Sequence, residues 1–322
     1  MIRFSWLQFR VQAAVAGSIL VVIALAFAFT GPNLTHLYNT TVATCSAHGN
    51  CSTATAAFLS HDHLLQDFGN LVIALPALAG IFWGAPLVAR ELETGTYRLV
   101  WTQGVTRSRW LATRLAMIGL ASAAVAGLLS LMVTWWSNPI DRVNMNQFTS
   151  VFDQRGVVPI GYAVFAFALG VAAGLLIRRT LPAMATTLVA YVAFRVLITF
   201  WVRPHLMTPV RTTSDLHMTA GMTYIQTNNG PLGVIGAKPG AWVFSDQIVD
   251  TSGRTVTGNF LGRGACLQSR GSAACIGKLR EVLVYQPASR YWAFQWYEMA
   301  IYLGLAVALG ALCFWWIRRR TS

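Results

Sequence analysis

The chain has 322 residues, 55% hydrophobic and only 11% charged, with a formal net charge of +13. A soluble domain carries about a quarter charged residues, so this composition excludes an ordinary water-soluble fold. Much of the basic excess lies near the ends of apolar runs, where the positive-inside rule accounts for it, and no aromatic-and-basic groove pattern points to nucleic acid.

Residues 1–12 carry Arg3 and Arg10 among Phe4, Trp6, Leu7 and Phe9, and predict an N-terminal interfacial helix. Residues 11–29 form the first predicted span. A cleaved signal peptide is the alternative, disfavoured because the apolar run is long for such a segment. Residues 30–66 hold no Lys or Arg and read as external. Further spans are predicted over 68–89, where Pro76 and Pro86 invite kinks, and over 111–136, ending on Trp135 and Trp136. A polar external loop covers 137–156. Spans over 157–177 and 181–202 flank the short Arg178–Arg179 turn. A long external segment, 203–290, precedes the sixth span, 291–317, and its terminal arginines. The fold class expected is an all-α integral membrane protein of six spans. Its divisions are 1–202, 203–290 and 291–322. An even number of spans puts both termini in the cytoplasm of a plasma-membrane protein.

Residues 90–110 are the one long charged stretch between spans on the basic side. A hairpin that only had to turn would need a few polar residues. Leu92, Thr96, Leu99, Val100 and Gln103 fall at helical spacing, which predicts a short amphipathic helix. Gly95 lets the chain bend and Thr106 can cap the following helix. The functional reading is a docking element, and the plainer one a solvated turn with interfacial charges.

The motif Glu93-x-Gly95-Thr96, then Thr102-Gln103-Gly104-Val105-Thr106-Arg107 and Trp110-Leu111-Ala112-Thr113-Arg114-Leu115, resembles the first cytoplasmic loop of ABC exporter permeases of the type-2 permease family, in an actinobacterial-like branch. The stretch from Gln286 through Pro287, Arg290, Trp292, Phe294, Gln295 and Trp296 to Glu298 resembles the approach to that family's last span. The resemblance implies that the 90–110 loop is a coupling helix seated in a groove of an ABC ATPase subunit. Docking contacts would come from Leu92, Tyr97, Leu99, Val100 and Trp101. Glu91, Glu93 and Arg98 would fix orientation, and Gly95, Thr96 and Gln103 complete the element. It further implies a second permease subunit, identical or a paralogue, and a re-entrant segment to which residues 282–291 would contribute. Membrane lipid is the remaining partner, and nucleic acid is not one.

No G-x-x-x-x-G-K-[ST] occurs in these residues, so the cradle for nucleotide phosphates is missing from them. No cofactor is expected on this chain, and ATP and Mg²⁺ belong to the partner ATPase. No catalytic constellation or metal site emerges. His61 and His63 flank Asp62 and invite a metal reading, but i,i+2 spacing on a loop is common. Cys45 and Cys51, and Cys266 and Cys275, form two local external pairs that suggest disulfides, with other pairings and zinc left open. Cys313 reads as a packing residue.

Arg195 lies inside the fifth span, about 10 Å below its outer end at ~1.5 Å per residue. A mid-membrane Arg is expensive unless paired. Glu298 lies at similar depth on the antiparallel sixth span, so an Arg195–Glu298 ion pair is expected, as a staple or as part of the transport path. Gln295 and Glu298 are better candidates for facing that path than Trp292, Phe294 and Trp296, which read as interface anchors. The substrate implied is an apolar or amphipathic compound: a drug, an antibiotic, a lipid or a peptide. The competing reading is a membrane-anchored sensor that binds through 203–290. Against it, that segment holds few long apolar runs from which to build a core.

Overall fold

The computed structural model describes residues 2–46, 58, 73–95, 106–144, 148, 152–215, 223–225, 233–235, 240–255 and 279–320. Six helical segments among them are long and apolar enough to cross a membrane. In hydrocarbon every backbone polar group must be satisfied within its own segment, which is why apolar runs of this length fold as helices. The protein is a multi-pass membrane protein whose membrane-spanning part is all-α.

Helix α1 runs without a break from Ile2 to Tyr38, so residues 2–12 continue directly into the first span; a π-helical turn, Asn39–Ala43, follows. Helix α2, Ile73–Thr94, carries a π-helical turn at Gly80–Gly84 immediately before Pro86. It ends at Gly95, whose φ of 73° is the left-handed stop of many helices. Helix α3, Arg107–Trp136, starts at Thr106, whose hydroxyl accepts a hydrogen bond from the Arg109 amide at 3.4 Å. A short α4, Asn138–Asn144, follows. Helices α5, Val158–Ile177, and α6, Thr180–Leu197, are joined by Arg178 and Arg179, and α6 extends through the π-helical turn Ile198–Val202. The last helix, α7, is Tyr291–Arg320.

Helix α5 is the centre of the bundle: 72% of its span is buried, against 11–39% in the others. Its contact with α2 is made by backbone. Gly80 and Gly84 face Gly170 and Gly174, two small-xxx-small motifs set against each other. A methyl group added at Gly84 would sit 2.5 Å from the Phe167 carbonyl oxygen, and one at Gly174 2.5 Å from that of Ala85. Without a hydrophobic drive between helices in lipid, such close approach and its dispersion contacts hold the pair together. At one end, Val88, Trp110, Leu111, Phe167, Val171 and Ile317 pack into a cluster that also buries the free thiol of Cys313.

The chain divides into two compact units. The helical unit comprises Met1–Arg142, Ser150–Leu206 and Trp292–Ser322; the other comprises Val143–Thr149 and Met207–Tyr291. The second holds strands β1 (Val210–Asp215), β2 (Thr223–Ile225), β3 (Gly233–Ile235), β4 (Trp242–Val249) and β5 (Arg280–Gln286). An antiparallel sheet has the order β1-β5-β4, with Thr212 opposite Leu283 and Asp246 opposite Leu283 from the other side; β2 and β3 form a separate hairpin. Residues 282–286, expected in a re-entrant segment, are instead the buried centre of this sheet. The run Val282-Leu283-Val284-Tyr285 is β-branched and aromatic, and suits a pleated, packed surface. Val210, Ala241, Leu283 and Tyr285 pack together, so the segment does possess an apolar core. Arg290 shapes the turn beyond β5, as its sequence position suggests, by donating to the Thr208 carbonyl and to Gln286 Oε1, both at 2.7 Å.

Candidate functional site

Two polar constructions stand out in the helical unit, at opposite ends of the spans. The first is rooted where α2 ends. Glu91 pairs with Arg114 of α3 at 2.7 Å, and the Arg114 guanidinium lies 4.7 Å over the Trp110 ring. Glu93 crosses to the start of α6, where its Oε2 accepts from the Thr180 amide at 3.0 Å and the Thr180 hydroxyl at 2.7 Å. A carboxylate at a helix N-terminus satisfies a free amide and meets the positive end of the helix dipole. Leu92 packs beside the cluster around Trp110. Both acids expected to orient a partner are therefore bonded within the chain, and they tie the root of the loop to two further spans. Thr96, Tyr97, Arg98, Leu99, Val100, Trp101 and Gln103 lie outside the described residues, as does the amphipathic helix predicted for them.

The second construction is a closed charge network at the other end. Arg195 comes from the last turn of α6 and Arg203 from the single 3-10 turn Arg203–His205 beyond it. Asp153 comes from the turn before α5, Tyr162 from the first turns of α5, and Glu298 from α7. Glu298 is fully buried and Arg203 almost so, at 3%. Arg203 grips Glu298 bidentately, Nε to Oε2 at 2.6 Å and Nη2 to Oε1 at 2.9 Å. Fork geometry of this kind is the strongest form of such a pair. Nη2 of Arg203 also reaches Asp153 Oδ1. Arg195 contacts Asp153 at 3.1 Å and Glu298 at 3.6 Å, while its guanidinium stacks 3.8 Å over the ring of Tyr162. The Tyr162 hydroxyl donates to Glu298 Oε1 at 2.6 Å and lies 3.0 Å from Asp153. Two cations face two anions, so the buried charge balances.

Asp153 lies outside the spans. Burial alone would raise its carboxyl, but Arg195 and Arg203, with hydrogen bonds from Arg203 and Tyr162, outweigh this and hold it below the usual aspartate range.

Gln295, one turn before Glu298, is fully buried. Its Oε1 accepts from the amides of Val157 and Val158, both at 3.1 Å, and its Nε2 donates to the Phe152 carbonyl at 3.0 Å. It thus caps α5 from another helix. Gly156 passes beside it with φ 79°, and a side chain there would strike Gln295 Oε1 at 2.6 Å. The Ser130 hydroxyl holds the Gly156 carbonyl at 2.7 Å, and Arg155 pairs with Asp141. The 152–158 turn is thereby clamped by α3, α4 and α7.

The structure brings Arg195 and Glu298 together, though Asp153 is the closer partner of Arg195 and Arg203 the closer partner of Glu298. In sequence Asp153 is only a boundary carboxylate and Arg203 only the start of the external segment, and neither they nor Tyr162 show a partner. An Arg at a span end raises no alarm on an insertion scale, and a loop Asp suggests no partner. Arg114 did carry a signal: it is a charge inside a predicted span, four residues after Trp110. Gln295 and Glu298, expected to face a path, are wholly enclosed and satisfied by neighbouring helices. Cys45 is disulfide-bonded, while Cys51, Cys266 and Cys275 lie outside the described residues. His61 and His63 lie outside them too. Among the described residues no cluster of His, Cys, Asp or Glu could hold a metal.

The family model described as ABC-2 membrane transporter related matches residues 17–203, more than half of the chain. Comparison with curated proteins and with solved structures gave no match.

Proposed function

The chain belongs to the ABC-2 membrane transporter related family, and from that premise we propose that it is the permease subunit of an ATP-driven exporter. A separate ABC ATPase binds ATP and Mg²⁺, and docks on the 90–110 loop. Leu92, Tyr97, Leu99, Val100 and Trp101 supply contacts, with Arg98 fixing orientation. A second permease subunit completes the path, and an apolar or amphipathic compound leaves outward by alternating access. Both termini lie in the cytoplasm, and the external cysteines pair as Cys45–Cys51 and Cys266–Cys275. This chain performs no bond chemistry.

The observation that carries the reading is the extent of the family match, which runs through the first five spans and includes the 90–110 loop. The anchoring of that loop adds support. Glu91 holds α3 and Glu93 holds the start of α6, so a push on the loop reaches three spans at once.

The test is affinity purification from native membranes in mild detergent, beside a Leu99→Arg variant. Expected is a co-purifying soluble ATPase with a phosphate-binding loop, lost from the variant. An ATPase retained by both moves the contact elsewhere. None with the wild type, even after crosslinking, defeats the exporter reading. A sensor acting through 203–290 is the second reading, favoured by the sheet core around Leu283 and Tyr285. It predicts a ligand that protects this segment from proteolysis in the intact protein without any ATPase.

A further inference from the structure

We propose that the groove between the C-terminal ends of α1 and α3 binds the phosphate headgroup of a membrane phospholipid, with a preference for anionic lipid such as phosphatidylglycerol. The cavity there measures about 620 Å³, within the range of sites that hold small molecules. His36, Tyr38 and Asn39 line it from one side, and Trp135, Asn138 and Arg142 from the other.

Its walls are preformed. Trp135 is seated against α1 because Gly31 offers no side chain; a methyl group there would lie 3.0 Å from the indole. Trp136 stacks on Phe27 at 4.8 Å and donates from Nε1 to Thr30 Oγ1 at 2.8 Å, which fixes the two helix ends together.

Its charge selects an anion. Arg142 is exposed, with its guanidinium 5.9 Å over the Tyr38 ring. Among the described residues no carboxylate lines the cavity, and the adjacent Asp141 is engaged by Arg155 and by the Ser137 hydroxyl. Arg142 therefore offers a guanidinium fork to a phosphate, and Asn39 and Asn138 offer amide donors beside it.

Its position selects a lipid over a free anion. The groove lies where two spans end, Trp135 and Tyr38 give it the amphipathic rings typical of the headgroup level, and exposed Leu25, Phe29, Leu128 and Leu131 continue along the same two helices. A soluble phosphate gains nothing from those apolar walls, whereas an acyl chain does.

The experiment is native mass spectrometry of the full-length protein in mild detergent, titrated with phosphatidylglycerol or phosphatidylcholine of equal chain length. Arg142→Gln is compared with the wild type and with Arg319→Gln, a charge loss at the other end of the spans. The expected result is one tight phosphatidylglycerol adduct on the wild type and on Arg319→Gln. It weakens about tenfold in Arg142→Gln, as loss of one charge-assisted contact requires. Trp135→Ala provides a second variant, with the same expected loss, should Arg142→Gln unfold. An unchanged adduct in the folded variants overturns the site, as does equal weakening in Arg319→Gln. Equal affinity for phosphatidylcholine overturns the anionic preference. Displacement by millimolar inorganic phosphate as complete as by added phosphatidylglycerol overturns the lipid as its source.

Discussion

Replacing Glu298 by Gln tests the charge network most directly. The carboxylate is fully buried and accepts from Tyr162 at 2.6 Å and twice from Arg203 at 2.6 and 2.9 Å, with Arg195 at 3.6 Å. Gln keeps the shape but removes the charge, leaving Arg195 and Arg203 opposite Asp153 alone. Removing one partner of a buried pair typically costs about 3–5 kcal/mol, because an uncompensated charge remains. Arg203→Gln has the mirror effect, leaving one excess anion. The double variant leaves Arg195 and Asp153 balanced, so its cost should fall short of the sum of the singles by roughly 2 kcal/mol. Asp153→Asn should cost less than Glu298→Gln, since the Asp153 side chain is 16% exposed and water can share its place. Equilibrium unfolding in mild detergent, followed through the fluorescence of the 12 tryptophans, reads all four. A Glu298→Gln penalty below about 1 kcal/mol, or strictly additive costs, would refute the claim that this network holds the span ends together.

Four further outcomes follow from the geometry. The Asp153 carboxyl lies below its ordinary value in the folded protein, so its contribution is present above the unfolded aspartate value of about 3.9 and disappears as pH falls through the folded value. Unfolding temperature should thus hold steady from neutral pH to about 5, drop below about 4, and drop less steeply in Asp153→Asn. Gly170→Ala places a methyl group 2.8 Å from the Ala85 amide nitrogen and should cost about 1–3 kcal/mol. Gly17→Ala meets nothing within 4 Å and should leave thermal stability unchanged or slightly raised. Glu93→Ala frees the Thr180 amide, so hydrogen exchange should quicken at the first turn of α6 while the far end of that helix is unaffected; uniform exchange changes would contradict the cap.

Span positions are legible because hydrocarbon imposes a single answer on a long apolar run. Not every end is: α1 runs to Tyr38, nine residues past the predicted 29, and α2 to Thr94, five past the predicted 89. The reading of 157–177 and the observed Val158–Ile177 differ by one residue. The pairing of Arg195 with Glu298 is legible for the same reason, since charges in lipid must find each other. Arg203 and Asp153 sit where water is near in sequence terms, and only the fold reveals that Glu298 draws them inward. The helix caps supplied by Gln295 and Glu93 join residues 138 and 87 positions apart, which no local capping motif encodes. The sheet escaped for a related cause. Its central strand, Arg280–Gln286, pairs with partners far away along the chain, and its apolar content is too short to register in a span-length window.

The glycine contact between α2 and α5 has a mechanical meaning. Side chains are the compressible part of a helix interface: rotamers change and gaps close before backbones move. At the four glycines the touching surfaces are peptide groups, with the Gly80 carbonyl lying directly against Gly170, so little that is soft lies between the two axes there. A force entering at the Thr94 end of α2 loses little to repacking where the glycines meet. The helix that carries the loop root and the helix at the centre of the bundle must travel as one lever, with any hinge placed elsewhere.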